Sequence, residues 1–302
     1  MGTASAMPVT DRNQSAQVLS VHGRLFLIDA GEGVQRQLMK YRIPLLKIDS
    51  IFISHIHGDH VFGIFGLLST MGMLARTTPL NIYAPTGFGP ILKFFLSYYG
   101  EGVGFEIRHV ALGMKEPEVV YQTKSVEVLA FPLRHKIDTF GFLFREKMPQ
   151  RNVWKHLIEK YEFTLTEIGT LKRGEDVVRE DGRVIPCEEA TYIPYEPRSF
   201  AYCSDTATFP ELAQWVKGVD ILYHEATYLN SQADLAAMRH HSTTGQAAAC
   251  AREAGAKQLV IGHYSSRVRD TRMYLDECRE VFLNSFAAND GDVFDIPFVK
   301  KG

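Results

Sequence analysis

The sequence has few cysteines and no paired cysteine motif. Its four cysteines are scattered along 302 residues, and no CxxC pair occurs. A cysteine-based structural zinc cluster or a thioredoxin-like site is therefore not expected. Isolated cysteines are typical of small buried side chains in a reducing compartment, so the cytoplasm is the expected location. They are Cys187, Cys203, Cys250 and Cys278.

Long apolar runs and a large net charge are also missing. No stretch approaches the roughly 18 consecutive apolar residues that a membrane-spanning helix needs. Residues 1–8 lack the basic start and apolar run of a secretory signal, so we expect no membrane partner. The formal net charge of −2 slightly disfavours nucleic-acid binding. Two bound divalent cations would raise that charge by about four units, so a nucleic-acid substrate stays open.

The chain has the composition and patterning of a soluble globular protein. Hydrophobic residues make up 45% and charged residues 23% of it. Short apolar strands alternate with helical segments, among them helices over 62–74 and 271–286 and a closing strand over 292–298. This alternation predicts an α/β fold, a layered sandwich forming one domain over residues 1–302. Residues 146–197 are polar, carry both signs of charge and have few periodic apolar faces, so we interpret them as an inserted arm.

Four potential metal ligands lie within six residues. They follow the short buried strand around Ile51–Ser54, and Gly58 allows the chain to turn among them. Imidazole nitrogen and carboxylate oxygen suit zinc and similar first-row metals. Such a loop can serve two ions, with the first two histidines on one ion and the last two residues on the other. The alternative, four polar residues of a surface loop, is disfavoured by this density of ligand types. The four are His55, His57, Asp59 and His60.

Three further candidate ligands follow apolar strands elsewhere in the chain. His135 comes after Phe131–Arg134, Asp205 after Tyr202–Ser204, and His263 after Leu259–Gly262. A single His or Asp at a strand end is more often a hydrogen-bonded loop residue. The recurrence of this arrangement favours ligands that share one rim of a sheet with the histidine-rich loop.

The combined motifs resemble the metallo-β-lactamase superfamily and, within it, the ribonuclease Z family of tRNA 3′-processing endonucleases. The superfamily pattern is an Asp after an early strand, an HxHxDH loop, then His, Asp and His. Asp29, residues 55–60, His135, Asp205 and His263 match it. The ribonuclease Z family is matched more specifically by the segments Gly2–Pro8, Asp29–Gly33, His224–Thr227 (HEAT), His241–Thr243 (HST) and His263–Arg267.

This resemblance implies a fold, a metal set and residue roles. The fold would be a four-layer αβ/βα sandwich with an exosite-like arm, and the cofactor two Zn²⁺, with Mn²⁺ as another possibility. Asp29 would orient a ligand or the loop from outside the ligand set, and His224 would hold the HEAT segment. Asp59 would also accept a proton from the attacking water, while Glu225 and His241 would pair near the scissile phosphate. One ion would be bound by His55, His57 and His135, the other by Asp59, His60 and His263, and Asp205 would bridge them.

The chain departs from the family pattern in two places. It begins at the Gly-Thr segment, so the family's opening strand is expected either to be missing or to start elsewhere. The arm lacks the Gly-Pro-rich motif that many members carry, and its nearest basic turn is Lys172-Arg173-Gly174, which is equally well read as a solvated loop. Lys172, Arg173 and Arg267 are the candidate substrate contacts. The family also implies a homodimer.

Three functions are compared. The leading hypothesis is a zinc-dependent endoribonuclease that removes the 3′ trailer from precursor tRNA and leaves a 3′-hydroxyl. The alternative keeps the metal site but hydrolyses a small phosphodiester or thioester; the HEAT motif and the arm argue against it. A third hypothesis, a non-catalytic tRNA- or partner-binding protein, is disfavoured because all seven ligand positions are filled.

Overall fold

A five-stranded sheet forms the first half of this computed structural model, which describes residues 1–300. Strands β1 and β2 are antiparallel and meet at His22 (φ 48°) and Gly23 (φ 74°), whose left-handed backbone suits a tight hairpin. The other neighbours are parallel, in the order β1-β2-β3-β4-β5. The strands are β1 (Gln17–Val21), β2 (Arg24–Ile28), β3 (Ile48–Phe52), β4 (Leu80–Pro85) and β5 (Ile107–Leu112), and the helices between them are α1 (Val34–Lys40), α2 (Gly58–Met73) and α3 (Phe88–Tyr99).

Three antiparallel strands begin the second sheet, and the chain then leaves it. They are β6 (Glu118–Gln122), β7 (Val126–Leu133) and β8 (Thr139–Glu146). The excursion that follows contains β9 (Asn152–Val153), α4 (Lys155–Tyr161), α5 (Leu165–Lys172), β10 (Val177–Val178), β11 (Val184–Ile185), α6 (Cys187–Ala190) and β12 (Thr191–Tyr192). We call residues 147–197 the arm; it begins one residue later than the sequence suggested, because Glu146 is the last residue of β8.

The chain returns to the second sheet and completes it with parallel strands. The sheet has seven strands in the order β16-β15-β14-β13-β8-β7-β6. Helix α9 shows why this region folds as it does: a capping box of Thr243 and Gln246 starts it, and left-handed Gly255 (φ 64°) ends it. The remaining elements are β13 (Ser199–Cys203), α7 (Pro210–Trp215), β14 (Ile221–Glu225), α8 (Ala233–Arg239), α9 (Thr244–Ala254), β15 (Gln258–Gly262), α10 (Arg272–Val281) and β16 (Ser285–Ala287).

Apolar clusters on both sides of each sheet define four layers. One cluster joins the first sheet to α1, α2 and α3, and another joins the second sheet to α7, α9 and α10. A third, rich in aromatic side chains such as Phe52, Phe142 and Tyr202, lies between the sheets. The predicted α/β sandwich of helix, sheet, sheet and helix layers is therefore confirmed.

Several element boundaries differ from the sequence expectations. Helix α2 begins at Gly58, before the expected residue 62, so Asp59 and His60 belong to its first turn, where a carboxylate is favoured by the helix dipole. The expected helix over 271–286 ends at Val281. The expected strand over 292–298 is an extended tail whose Phe294 and Ile296 pack on the cluster between the sheets. Its apolar pattern reflects that packing rather than strand pairing.

The arm is more ordered than its polar sequence suggested. Its buried side chains form a separate apolar cluster, which includes Phe163, Leu171 and Val177. Helix α5 was not predicted, although a capping box of Thr164 and Glu167 marks its start. No helix within residues 1–300 has the length and apolar character needed to cross a bilayer.

Candidate metal centre

The candidate ligands converge because the strands that precede them end at the same edge of the two sheets. Strands β7, β13, β14 and β15 run in one direction in the second sheet, and β3 ends opposite them in the first. Loops beyond the carboxyl ends of such strands are where α/β folds place their sites. A groove of about 590 Å³ is lined by none of the seven ligand candidates and lies at the other ends of these strands.

One group of potential ligand atoms is formed by three histidines and an aspartate. His55, His57, His135 and Asp205 each offer an atom within 4.8 Å of the others. Burial is the main cause that lowers the pKa of all three imidazoles, and it does so most strongly for His55. Neutral imidazole is the form that binds a metal ion.

A second group lies beside the first and contains Asp59, His60 and His263. Burial alone would lower the pKa of His60, but the carboxylates of Asp59 and Asp205 raise it well above its usual range. In the ion-free protein, a proton on His60 therefore offsets the negative charge of Asp59 and Asp205. A bound cation would offset the same charge. Metal binding here must displace that proton.

Asp205 faces both groups through different oxygens. Its Oδ2 lies 3.6 Å from Nε2 of His55, and its Oδ1 lies 3.5 Å from Nε2 of His60 and 3.2 Å from Nε2 of His263. The two oxygens of Asp205 therefore face different groups of potential ligand atoms.

Four buried side-chain polar atoms have no hydrogen-bond partner within residues 1–300, and two of them belong to the ligand cluster. These two are Nε2 of His55 and Oδ1 of Asp205. Unpaired polar atoms of this kind are rare in folded proteins because burial without a partner is costly. Both atoms point into the ligand cluster, and nitrogen and oxygen donors in this number suit first-row divalent metals. The residues present therefore fit metal ions.

Asp29 orients the cluster from behind. Its Oδ2 accepts hydrogen bonds from Nδ1 of His60 at 2.7 Å and from the Tyr202 hydroxyl at 2.6 Å. The Ser54 hydroxyl lies 2.9 Å from the same carboxylate and 3.0 Å from Nδ1 of His55. Donation from Nδ1 leaves Nε2 of His60 free to bind a metal. Asp29 (φ 55°) and His263 (φ 61°) both have left-handed backbone, a strain that clusters at functional sites.

Other ligands are held by contacts that the sequence did not reveal. Nδ1 of His135 donates to the backbone carbonyl of His240 at 2.9 Å, and Nδ1 of His263 lies 2.9 Å from the Thr227 hydroxyl. His240 caps helix α8 in the left-handed conformation (φ 57°). Sequence reasoning overlooked Ser54, Tyr202 and Thr227, and only Thr227, as part of HEAT, had a signal that could have identified it.

Glu225 and His241 form a buried ion pair at the edge of the cluster. Nδ1 of His241 lies 2.9 Å from Oε1 of Glu225, and the His241 ring stacks 5.6 Å from that of His263. Burial alone would lower the pKa of His241, but the Glu225 carboxylate raises it to about 9. The same pairing holds the pKa of Glu225 below its usual range, against the effect of its burial. His241 is therefore largely protonated at neutral pH in the ion-free protein, and its ring also offers a potential ligand atom within 4.8 Å of those of Asp205 and His263.

Glu225 is held by other donors as well. The backbone N–H groups of Thr206, Thr227 and Ser242 and the Thr227 hydroxyl all donate to its carboxylate. His224 is buried, and its Nδ1 lies 2.7 Å from the Glu225 backbone carbonyl, so it contacts the HEAT backbone rather than the ligand cluster.

The three candidate substrate residues lie outside the cluster. Lys172 and Arg173 are exposed at the end of α5 in the arm, and Arg173 pairs with Glu175 at 3.0 Å. Arg267 is exposed in the loop that follows His263. The structure thus brings together the seven ligand candidates with Asp29, Glu225 and His241, and leaves Lys172, Arg173 and Arg267 outside this cluster.

Similarity to known proteins agrees with this fold. Residues 190–264 match a family model described as a beta-lactamase superfamily domain, and residues 1–96 match one described as anti-Pycsar protein Apyc1. The solved structure of human tRNase Z, short form, has a TM-score of 0.70 at 26% identity, over 98% of this chain and 97% of that one. YhfI of Bacillus subtilis shares the fold with a TM-score of 0.68 at 17% identity, over 97% and 96% of the two chains.

Fold and site together define a metallo-β-lactamase-fold protein with a His/Asp centre for divalent metal. Ribonuclease Z of Bacteroides thetaiotaomicron is 39% identical over 290 residues, which cover 96% of this chain and 92% of that relative. Ribonuclease Z of Cytophaga hutchinsonii is 40% identical over 295 residues, covering 97% and 94%. The chain belongs to the ribonuclease Z family.

Proposed function

We propose that this chain is a metal-dependent endoribonuclease that removes the 3′ trailer from precursor tRNA and leaves a 3′-hydroxyl on the tRNA. The observation that carries the proposal is the Glu225–His241 pair beside a complete metal-ligand cluster, in a member of the ribonuclease Z family. The similarity to human tRNase Z supports tRNA as the substrate.

The proposed cofactor is two Zn²⁺ ions, with Mn²⁺ as an alternative for the same donors. One ion would be held by His55, His57 and His135 and the other by Asp59, His60 and His263, with Asp205 between them. When bound, the ions supply an activated water and offset negative charge on the phosphoryl oxygens.

The residues around the ions would manage the protons of the reaction. The pKa of Asp59 is lowered because His60 and His263 outweigh the effect of its burial, so it is ionised at neutral pH and can accept a proton from the attacking water. Protonated His241 donates to the leaving 3′-oxygen, which would otherwise depart as a poor alkoxide leaving group. Glu225 keeps His241 charged and fixes its ring through Nδ1, so that Nε2 is free for the donation.

The decisive experiment is cleavage of a precursor tRNA by the metal-loaded protein, with the 3′ end of the product mapped. We expect one cut at the end of the acceptor stem and a 3′-hydroxyl product. Hydrolysis of bis(4-nitrophenyl) phosphate in parallel measures the chemistry without RNA recognition. A metal-loaded protein that hydrolyses this small phosphodiester but leaves the precursor intact would instead favour the alternative of a small-substrate hydrolase.

The arm is the proposed site of additional RNA contacts within one domain that spans residues 1–302. Gripping of RNA without sequence readout uses phosphate contacts. Lys172 is exposed and available for them, whereas Arg173 would have to exchange its bond with Glu175. Arg267, close to His263 in the chain, would contact RNA near the scissile phosphate. The proposed location is the cytoplasm, where the four free, buried cysteines would stay reduced.

The proposed assembly is a homodimer through an apolar patch on α3. Phe94, Tyr98 and Tyr99 are 63%, 71% and 66% exposed, and Phe94 and Tyr98 contact each other with ring centroids 4.9 Å apart. Contiguous exposed aromatic side chains are typical of protein interfaces.

Replacing Phe94 and Tyr98 by Asp is expected to convert a dimer into a monomer in sedimentation velocity. The matched control is Leu283→Asp, which alters an equally exposed apolar residue outside the patch (80% exposed) and should leave the dimer intact. A wild-type protein that sediments as a monomer, or a dimer that survives the double substitution, contradicts this assembly.

A further inference from the structure

The arm leaves and re-enters the second sheet at one place, which we call its base. Its apolar cluster consists of side chains between Val153 and Ala190, all from the arm itself. Two chain segments link the arm to the second sheet, and we call them the entering crossing and the returning crossing. They pair with each other once within the arm, where Asn152–Val153 lies antiparallel to Thr191–Tyr192. The direction in which the arm points is therefore set by contacts at the base.

A single carboxylate connects both crossings. Glu146, the last residue of β8, is almost fully buried and accepts from the Arg198 guanidinium at 2.6 Å and from the Arg198 backbone N–H at 2.8 Å. The Glu146 backbone N–H in turn donates to the Arg198 carbonyl at 2.9 Å. Glu146 ends the chain entering the arm and Arg198 begins the chain leaving it, so these bonds close the arm at its base.

The base is also tied to the first sheet. Nε2 of His22, in the turn between β1 and β2, lies 2.9 Å from Oε1 of Glu146. The His22 ring is 6.1 Å from that of Tyr195 in the returning crossing. Through these contacts the base of the arm is held against both sheets, each of which carries candidate metal ligands.

The C-terminal tail crosses the base from the other side. Nη1 of Arg198 donates to the Ile296 carbonyl at 3.2 Å, and its guanidinium lies 5.2 Å from the Phe298 ring centroid. The Phe298 ring packs 4.8 Å from that of Tyr195. Arg198, at the end of the returning crossing, thus contacts both the entering crossing and the tail.

We propose that Glu146, Arg198 and His22 form an arm brace that fixes the direction of the arm and thereby positions an RNA substrate over the metal centre. These are positioning residues, since none of them belongs to the ligand cluster. The proposal rests on the proposed endoribonuclease function. A small phosphodiester that never reaches the arm would be hydrolysed without help from the brace.

The test compares two substrates in the metal-loaded, full-length protein. The variant is Glu146→Gln with Arg198→Met, which removes both charges and leaves no unpaired buried ion. If the productive arm direction falls to about a tenth of the population, KM for precursor tRNA rises about tenfold while kcat stays within about twofold. Metal content and hydrolysis of bis(4-nitrophenyl) phosphate should not change. An unchanged KM, or equal losses on both substrates, overturns the proposal.

Arg145→Met is the matched control. Arg145 neighbours Glu146 on β8 and forms its own ion pair with Glu127, but its side chain is largely exposed and this pair lies within the sheet. It should behave as wild type with both substrates. Arg198→Lys serves as a milder variant: it keeps the charge, loses the fork of bonds to Glu146, and should give a smaller rise in KM.

A second measurement needs no RNA. Lys147 starts the entering crossing, so cleavage after it by a lysine-specific protease reports opening of the base. We expect the double variant to be cut about tenfold faster than wild type and Arg145→Met at the wild-type rate. Equal rates in all three proteins overturn the brace. Because this readout is independent of tRNA, a wild type that fails to cleave precursor tRNA refutes the proposed function while the protease result still decides the brace.

Discussion

Asp205→Ala is expected to empty both metal positions and to lower precursor cleavage by on the order of a thousandfold or more, the loss expected when several kcal/mol of charge stabilisation by the ions disappear. The reason is that its two oxygens face different ligand groups. Metal content by mass spectrometry and cleavage rate under saturating zinc measure the two effects.

Two comparisons sharpen this expectation. His57→Ala removes a ligand of one group only and should leave the second group able to bind at high metal concentration. Asp138→Ala is the control, because that exposed aspartate lies three residues after His135 and outside the cluster. An Asp205→Ala protein that retains two equivalents of metal and normal turnover contradicts the bridging role.

His241→Ala is expected to retain its metal and lose turnover by about 10²–10⁴-fold, the usual contribution of a positioned general acid. Its side chain donates rather than ligates in our assignment, since Glu225 holds it protonated. Metal analysis combined with single-turnover cleavage separates this effect from loss of a ligand. His156→Ala, an exposed histidine of the arm, provides the control. Loss of metal from His241→Ala would show that it is a ligand instead.

The pH profile tests the pair in a second way. His241 must be protonated to donate, and its pKa is raised to about 9, so cleavage should decline as the pH rises through that region. Glu225→Gln removes the carboxylate that raises this pKa, and the decline should move to lower pH. Bound cations disfavour protonation of His241 and move the pH profiles of both proteins to lower pH. The decline of Glu225→Gln should still lie at lower pH than that of the wild type. Superimposable profiles would contradict the pairing.

The clustering of the candidate ligands could be predicted from the sequence because they follow strands. Apolar runs that end at His55, His135, Asp205 and His263 mark strand ends, and parallel strands bring such ends to one edge. The alternation of strands and helices predicted the layered fold, because helices that connect strands pack on the faces of the sheets. Motif resemblance added Glu225 and His241, which spacing alone would have left as a polar pair at a strand end.

The contacts that hold the ligands could not be predicted, because they join residues distant in sequence through ordinary polar groups. Tyr202 reaches Asp29 across 173 positions, and the His240 backbone carbonyl meets His135 across 105. A hydroxyl or a carbonyl carries no pattern that identifies it as a partner of a ligand. Helix α5 of the arm was missed because its apolar residues are too few and too closely spaced to show a helical period. The strand expected over 292–298 was wrong because packing and strand pairing produce the same alternation.

The separate core of the arm has a consequence for how proteins of this design diversify. An insertion that folds around its own side chains and joins the sheet at two neighbouring positions can accumulate substitutions without changing the spacing of the metal ligands. If the arm holds RNA as proposed, selection can alter which RNA is held while the cleavage chemistry stays constant. Across relatives, we expect sequence to drift fastest between Val153 and Ala190 and slowest at the two residues, Glu146 and Arg198, where the insertion meets its scaffold.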